Sequence, residues 1–121
     1  MWVGRYNAFM NTESLAALFK TLSEPVRLRI IYLLLESVEL CVCDLVDTLG
    51  LSQSVVSRHL AYLRNNGLVS TRREGVWIHY CIVQDCCDPL FAHIRQCGAA
   101  NAEMQADLVR LKAISQSHHC R

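Results

Sequence analysis

The sequence has seven cysteines but no CxxC pair among them: they fall at Cys41, Cys43, Cys81, Cys86, Cys87, Cys97 and Cys120. Zinc fingers and ribbons are built on such pairs, so their absence argues against a zinc finger or ribbon. Seven is odd, so the chain cannot pair all its cysteines internally. The opening Met1-Trp2-Val3-Gly4-Arg5-Tyr6 lacks the charged-then-apolar layout of an export signal. Together these features point to a reducing cytoplasm in which thiols stay free. No apolar run approaches the length of a membrane span, since Ile30 to Leu35 is already interrupted at Glu36. There is no glycine-rich phosphate loop, and no paired carboxylates or nucleophile triad, which argues against an enzyme. Repeats and low-complexity tracts are also absent. With 121 residues, 52% of them hydrophobic, the chain is expected to form one domain around a modest core.

A further absence is local. From Ser52 to Arg73 there is no acidic residue, while Arg58, Arg64, Arg72, Arg73 and His59 all fall there. The formal net charge is only +1, so this segment is a basic patch on a nearly neutral protein. An ordinary solvated face would interleave acids. A segregated basic face suits a small module that reads DNA.

Periodicity gives the layout. Leu15, Leu18, Phe19 and Leu22 recur at helical spacing, with Asn11 or Thr12 available as a cap. Pro25 suits the first turn of a second helix, Val26 to about Glu36, which is apolar nearly all round and so central to the core. A third helix covers roughly Cys43 to Leu49 and stops at Gly50, and a fourth runs from its cap Ser52 to Asn66. Two helices joined by Gly50-Leu51-Ser52 form a helix-turn-helix. The period then falls to two: Leu68 to Arg73, a turn at Glu74-Gly75, and Val76 to Val83 read as a β-hairpin wing. From Asp88-Pro89 a last helix carries Leu90, Ile94, Cys97, Asn101, Met104, Leu108 and Leu111 at alternating spacings of four and three. That seam predicts packing against a second copy. The expected protein is mainly α with a small β-hairpin, a winged helix-turn-helix dimerising through its N- and C-terminal helices. Residues 1–11 would be an extension, 88–115 the dimerisation helix and 116–121 a tail.

On the fourth helix Val56, Leu60 and Leu63 fall on the core side at 100° per residue. Ser54, Ser57, Arg58, Ala61 and Asn65 fall opposite. Short hydroxyl side chains allow close entry to the major groove, Arg58 can reach a guanine edge or a phosphate, and Gln53 and His59 flank that face. Arg64, Arg72 and Arg73 add positive charge, the last two on the wing where phosphates pass.

The segment from Leu51-Ser52-Gln53-Ser54-Val55-Val56-Ser57-Arg58-His59-Leu60 through Leu63-Arg64-Asn65-Asn66-Gly67-Leu68-Val69 resembles the recognition helix of the ArsR/SmtB family of metal-responsive repressors. Leu22-Ser23-Glu24-Pro25-Val26-Arg27-Leu28 and the wing Arg72-Arg73-Glu74-Gly75 with Tyr80 are similar to it as well. The resemblance covers about Glu13 to Val83. It implies a homodimer on an inverted repeat of double-stranded DNA, released when an inducer binds, with no permanently bound cofactor.

Glu39-Leu40-Cys41-Val42-Cys43-Asp44-Leu45 is similar to the metal box of the arsenic- and cadmium/lead-sensing branches. Two thiolates are soft donors that prefer arsenite, antimonite or another soft ion over magnesium or calcium. Residues two apart on an ideal helix point about 200° apart. Cys41 and Cys43 are therefore expected to share one ion only if the first turn unwinds or distorts, which would displace the reading helix. Arsenic-sensing relatives often add a third cysteine where this chain has Val46, and the cadmium branch adds cysteines from an N-terminal arm that are lacking before Cys41. An arsenite site of two or three thiolates fits better than four-thiolate cadmium or lead. Cys86, Cys87, Cys97 or Cys120 could supply a further sulfur, the last within His118-His119-Cys120, and the adjacent Cys86-Cys87 pair could form a second soft-ion site of its own. Cys81 reads as a small buried hydrophobe and Cys97 as a core residue on the seam. Of the family's zinc-binding side chains on the last helix only His93 is present. The same thiolates could instead cross-link, so a redox- or sulfide-sensing repressor is the competing reading.

Overall fold

The computed structural model describes residues 11–83 and 88–117. Helix α1 (Thr12–Leu22) starts under Asn11, whose side chain accepts the Ser14 N–H at 2.8 Å. Helix α2 (Pro25–Leu35) begins with its proline at the first position, where no N–H is needed, and Glu24 caps the N–H groups of Val26 and Arg27. Ile30 to Leu34 are five consecutive buried residues, so α2 is the centre of the core, as its unbroken apolar run requires. Helices α3 (Val42–Leu49) and α4 (Gln53–Asn65) form the helix-turn-helix. Gly50 ends α3 in the left-handed region at φ +67°, and Ser52 Oγ accepts the Val55 N–H at 3.3 Å to start α4. Val56, Leu60 and Leu63 are fully buried, as their spacing predicts.

The wing holds one element that the sequence pattern misses. A two-residue strand, β1 (Leu40–Cys41), pairs with the return strand β3 (Trp77–Ile82), which pairs in turn with β2 (Val69–Glu74). The sheet is antiparallel in the order β1-β3-β2. Glu74 pairs with Trp77, so the turn is Gly75-Val76, one residue beyond the expected Glu74-Gly75.

The expected single C-terminal helix is two helices, α5 (Asp88–Ala99) and α6 (Ala102–Ser117). Asn101 starts α6 by accepting the Met104 N–H at 2.9 Å, the work of an N-cap. The seam turns inward. Phe91, Ile94 and Leu111 join the core built on α2, while Leu90, Met104 and Leu108 pack on its edge. The four-three spacing thus reflects folding back onto the chain's own core, and the seam cannot serve as the argument for a second copy. Cys97, expected in the core, is exposed. On α1, Leu18 and Leu22 are buried, whereas Leu15 and Phe19 remain 42% and 53% exposed.

A buried ion pair locks α6 to α2. Asp107, fully buried, accepts Arg29 Nε and Nη2 at 2.8 and 2.9 Å and Arg110 Nη2 at 2.5 Å. The same Arg110 donates Nε to the Thr48 carbonyl at 2.9 Å, so α6 holds the last turn of α3. This arrangement holds the Arg29 guanidinium above its ordinary value, chiefly through the Asp107 hydrogen bonds. No helix of the described residues is long and apolar enough to cross a membrane.

Candidate metal centre and nucleic-acid interface

Cys41 ends β1 and is also the N-cap of α3, with extended backbone at φ −89° and ψ 167°. A capping side chain folds over the second and third helical residues. Here those are Cys43 and Asp44. The two sulfurs consequently lie 2.7 Å apart, and with a carboxylate oxygen of Asp44 all three donor atoms fall within 4.8 Å of one another. The premise that both cysteines lie within the helix is corrected, and with it the need for full unwinding. The 200° argument needs both residues inside the helix, and Cys41 is outside it. Two sulfurs on one tetrahedral ion, with bonds of about 2.3 Å, sit roughly 3.8 Å apart, so they need only part by about 1 Å.

The surroundings define the chemistry. Cys41 is 2% exposed, and burial pushes its thiol up, with the Asp44 carboxylate adding in the same direction against the helix-end N–H groups. Asp44 is buried as well and accepts the Cys41 N–H at 3.3 Å. Cys41, Cys81 and Cys97 carry free thiols, but Cys43 is disulfide-bonded, a departure from the all-reduced expectation. A cavity of about 290 Å³ opens beside the pair, walled by Val42, Val46, Trp77 and Ile78 and reaching Gln53 at the start of α4. Soft donors with an apolar wall favour a soft ion over a hydrated hard one.

Cys86, Cys87 and Cys120 lie outside the described residues, as do His118 and His119. Cys97 is on the exposed face of α5, 3.5 Å from His93 Nε2. Cys81 is half-buried and 3.2 Å from Ser70 Oγ.

The side of α4 opposite the core carries the polar residues that the spacing places there. Gln53, Ser54, Arg58, Ala61, Arg64 and Asn65 are exposed along α4, with Ser57 half-buried among them. His59 is turned away from that face. Its Nε2 meets Glu24 at 3.3 Å and its Nδ1 lies 3.4 Å from Arg27, whose guanidinium stacks 4.2 Å from the Tyr62 ring centre. It thus packs on the start of α2 instead of flanking the groove. Arg73 is exposed on β2. Arg72 is already engaged: its guanidinium forms a bidentate pair with Glu39, Nε to Oε2 at 3.2 Å, and approaches Glu74 at 3.6 Å. Sequence reasoning missed Asp44 as a third donor, though it stands inside the motif. It also missed Glu39, His79 and Glu74, which only strand pairing brings together.

Residues 24–71 match the family described as "Bacterial regulatory protein, arsR family". The chain is 34% identical over 93 residues to the "Cadmium resistance transcriptional regulatory protein CadC homolog" of Staphylococcus aureus, covering 74% of this chain and 77% of that one. The chain belongs to the arsR family. Another relative in the family, the "Arsenical resistance operon repressor" of Escherichia coli K12, is 54% identical over 63 residues, or 52% of this chain. The match spans 54% of that repressor's length. Among solved structures, reduced HlyU from Vibrio cholerae superimposes with a TM-score of 0.65 at 35% identity, over 76% of this chain and 93% of that one. As an arsR-family protein with this winged fold, the chain is a DNA-binding transcriptional regulator and not an enzyme.

Proposed function

We propose that this arsR-family regulator is a homodimeric repressor that holds an inverted-repeat operator and leaves it when arsenite or antimonite is captured by Cys41 and Cys43. The observation that carries the reading is the approach of those two sulfurs beside the Asp44 carboxylate, at the junction that aims the reading helix. On capture each thiol gives its proton to a departing hydroxide of the arsenite, so two As–O bonds are exchanged for two As–S bonds and two waters leave. Cys86, Cys87 or Cys120 would add any third thiolate. Release follows without unwinding. Parting the sulfurs and filling the cavity pushes on Val46, Trp77 and Gln53, which belong to the third helix, the wing and the start of the reading helix.

Gln53, Ser54, Ser57, Arg58 and Arg64 would meet the major groove, and Arg72 and Arg73 the phosphates. The protein would act in the cytoplasm as one domain, with residues 1–11 as an extension and 116–121 as a tail. It would hold no permanent cofactor and no membrane contact. Dimerisation would use the terminal helices, now through the exposed Leu15 and Phe19 of α1 and outer residues of α5 and α6 instead of the internal seam.

The test is operator release from protein reduced with a phosphine. Cys41→Ser and Cys43→Ser should each bind DNA near normally yet no longer release it with arsenite. The Cys86→Ser/Cys87→Ser double variant is the control. If that pair alone blocks release, the sensor lies elsewhere. Titrating cadmium and lead beside arsenite separates the ions. The Cys43 disulfide favours a second reading, a thiol redox or sulfide sensor. It prevails if peroxide or persulfide releases the operator and no metalloid does.

A further inference from the structure

Cys41, His79 and Arg72 form one row across the sheet. Cys41 is paired with His79 in β3, and His79 with Arg72 in β2, so their side chains share a face. His79 is 1% exposed, and neither ring nitrogen has a hydrogen-bond partner. Its charged neighbours are Glu39, 3.8 Å from Nδ1, and Glu74, 3.4 Å from Nε2. The Arg72 guanidinium closes the group, gripping Glu39 with two donors and approaching Glu74. Glu39 stands two residues before Cys41, and Arg72 stands on the wing with half of its side chain in solvent.

We propose that Glu39 is a positioning residue for Arg72: its carboxylate and the DNA backbone compete for one guanidinium, and ligand capture at Cys41 favours the carboxylate. The ligand clause rests on the function proposed above; the competition does not. Arg72 is held by the Glu39 carboxylate and lies near that of Glu74, so a phosphate reaches its fork only as the Glu39 pair opens. A guanidinium offers a planar fork that satisfies either a carboxylate or a phosphate with two parallel donors. Fixing Cys41 on an ion anchors the short β1 strand and with it the backbone that aims Glu39, which keeps Arg72 docked. By reciprocity, DNA that draws Arg72 away loosens the segment the ligand needs.

The experiment compares wild type, Glu39→Gln, Arg72→Gln and the double variant in operator titrations over a range of salt, with thermal midpoints measured alongside. Glu39→Gln should tighten DNA binding about threefold or more and steepen the salt slope by at most about 0.9, the increment for one whole phosphate contact, according to how far Glu39 holds Arg72 back in the wild-type complex. Both changes should vanish in the Arg72→Gln background. Arsenite should still bind Glu39→Gln, read by loss of alkylatable thiols, but should release less DNA. Unchanged or weaker DNA binding, or an effect that persists without Arg72, overturns the competition. Release equal to wild type overturns the coupling to the ligand. If arsenite binds neither protein, the arsenite reading falls, while affinity and slope still decide the Glu39–Arg72 competition.

Discussion

A Cβ placed on Gly98 would lie 2.3 Å from Cε1 of Tyr32, so helix α5 reaches α2 only because that position carries no side chain. Gln105 fastens the same corner, donating Nε2 to the Tyr32 hydroxyl at 2.8 Å and to the Gly98 carbonyl at 3.0 Å. Tyr32 is 3% exposed and has no room to step aside. Gly98→Ala should therefore destabilise the protein by about 1–3 kcal/mol, the usual cost of overfilling a packed site. Urea denaturation will read it, and a midpoint equal to wild type would show that α5 can slide away.

Asp107 makes a second stability prediction. Arg29→Met leaves Arg110 as the partner of a buried carboxylate and removes the bidentate pair. Breaking one side of a buried pair typically costs about 3–5 kcal/mol. A loss below about 1 kcal/mol would mean that Arg110 alone neutralises the site.

On the DNA face, Arg73→Ala should lower affinity for operator and random DNA alike and flatten the salt slope by about 0.9. A change in sequence preference with the slope intact would move Arg73 from phosphate to base contact.

The thiols should differ in reactivity. Cys97 is exposed and Cys41 almost fully buried, with its thiol pushed up by that burial. A raised thiol holds less thiolate at a given pH, so Cys41 alkylation should be slow near neutrality and keep rising above about pH 8.5, the ordinary thiol value. Peptide mapping after timed iodoacetamide treatment gives the order, and Cys41 reacting before Cys97 would contradict it.

For the proposed dimer, Phe19→Glu is the informative change. Phe19 is 53% exposed on α1 and contributes little to the core, so the variant should fold. Sedimentation should then show dissociation at micromolar concentration, whereas a wild-type protein that is itself monomeric would end the dimer reading.

Much of this arrangement was legible from local signals. Asn11, Pro25, Gly50 and Ser52 mark helix ends through their own backbone and capping chemistry, and Val56, Leu60 and Leu63 declare a buried stripe. The C-terminal seam misled because spacing of four and three is the same whether a helix meets a copy or its own core. The break was nonetheless written in Asn101, a good cap standing in the middle of the seam. Strand β1 left no trace, since two residues have no period. With it went the row from Cys41 through His79 to Arg72, and the recognition that Cys41 lies before the helix and not within it.

That last placement has a consequence beyond this chain. The meeting of Cys41 and Cys43 arises from how a chain enters a helix: one residue extended, the next but one already turning, the first folding its side chain over the second. Little in it depends on the particular core beneath. A dithiol spaced by a single residue is thus a portable fitting, which could be installed at a strand-to-helix junction of an unrelated scaffold by two substitutions, with the choice of junction deciding what the captured ion would move.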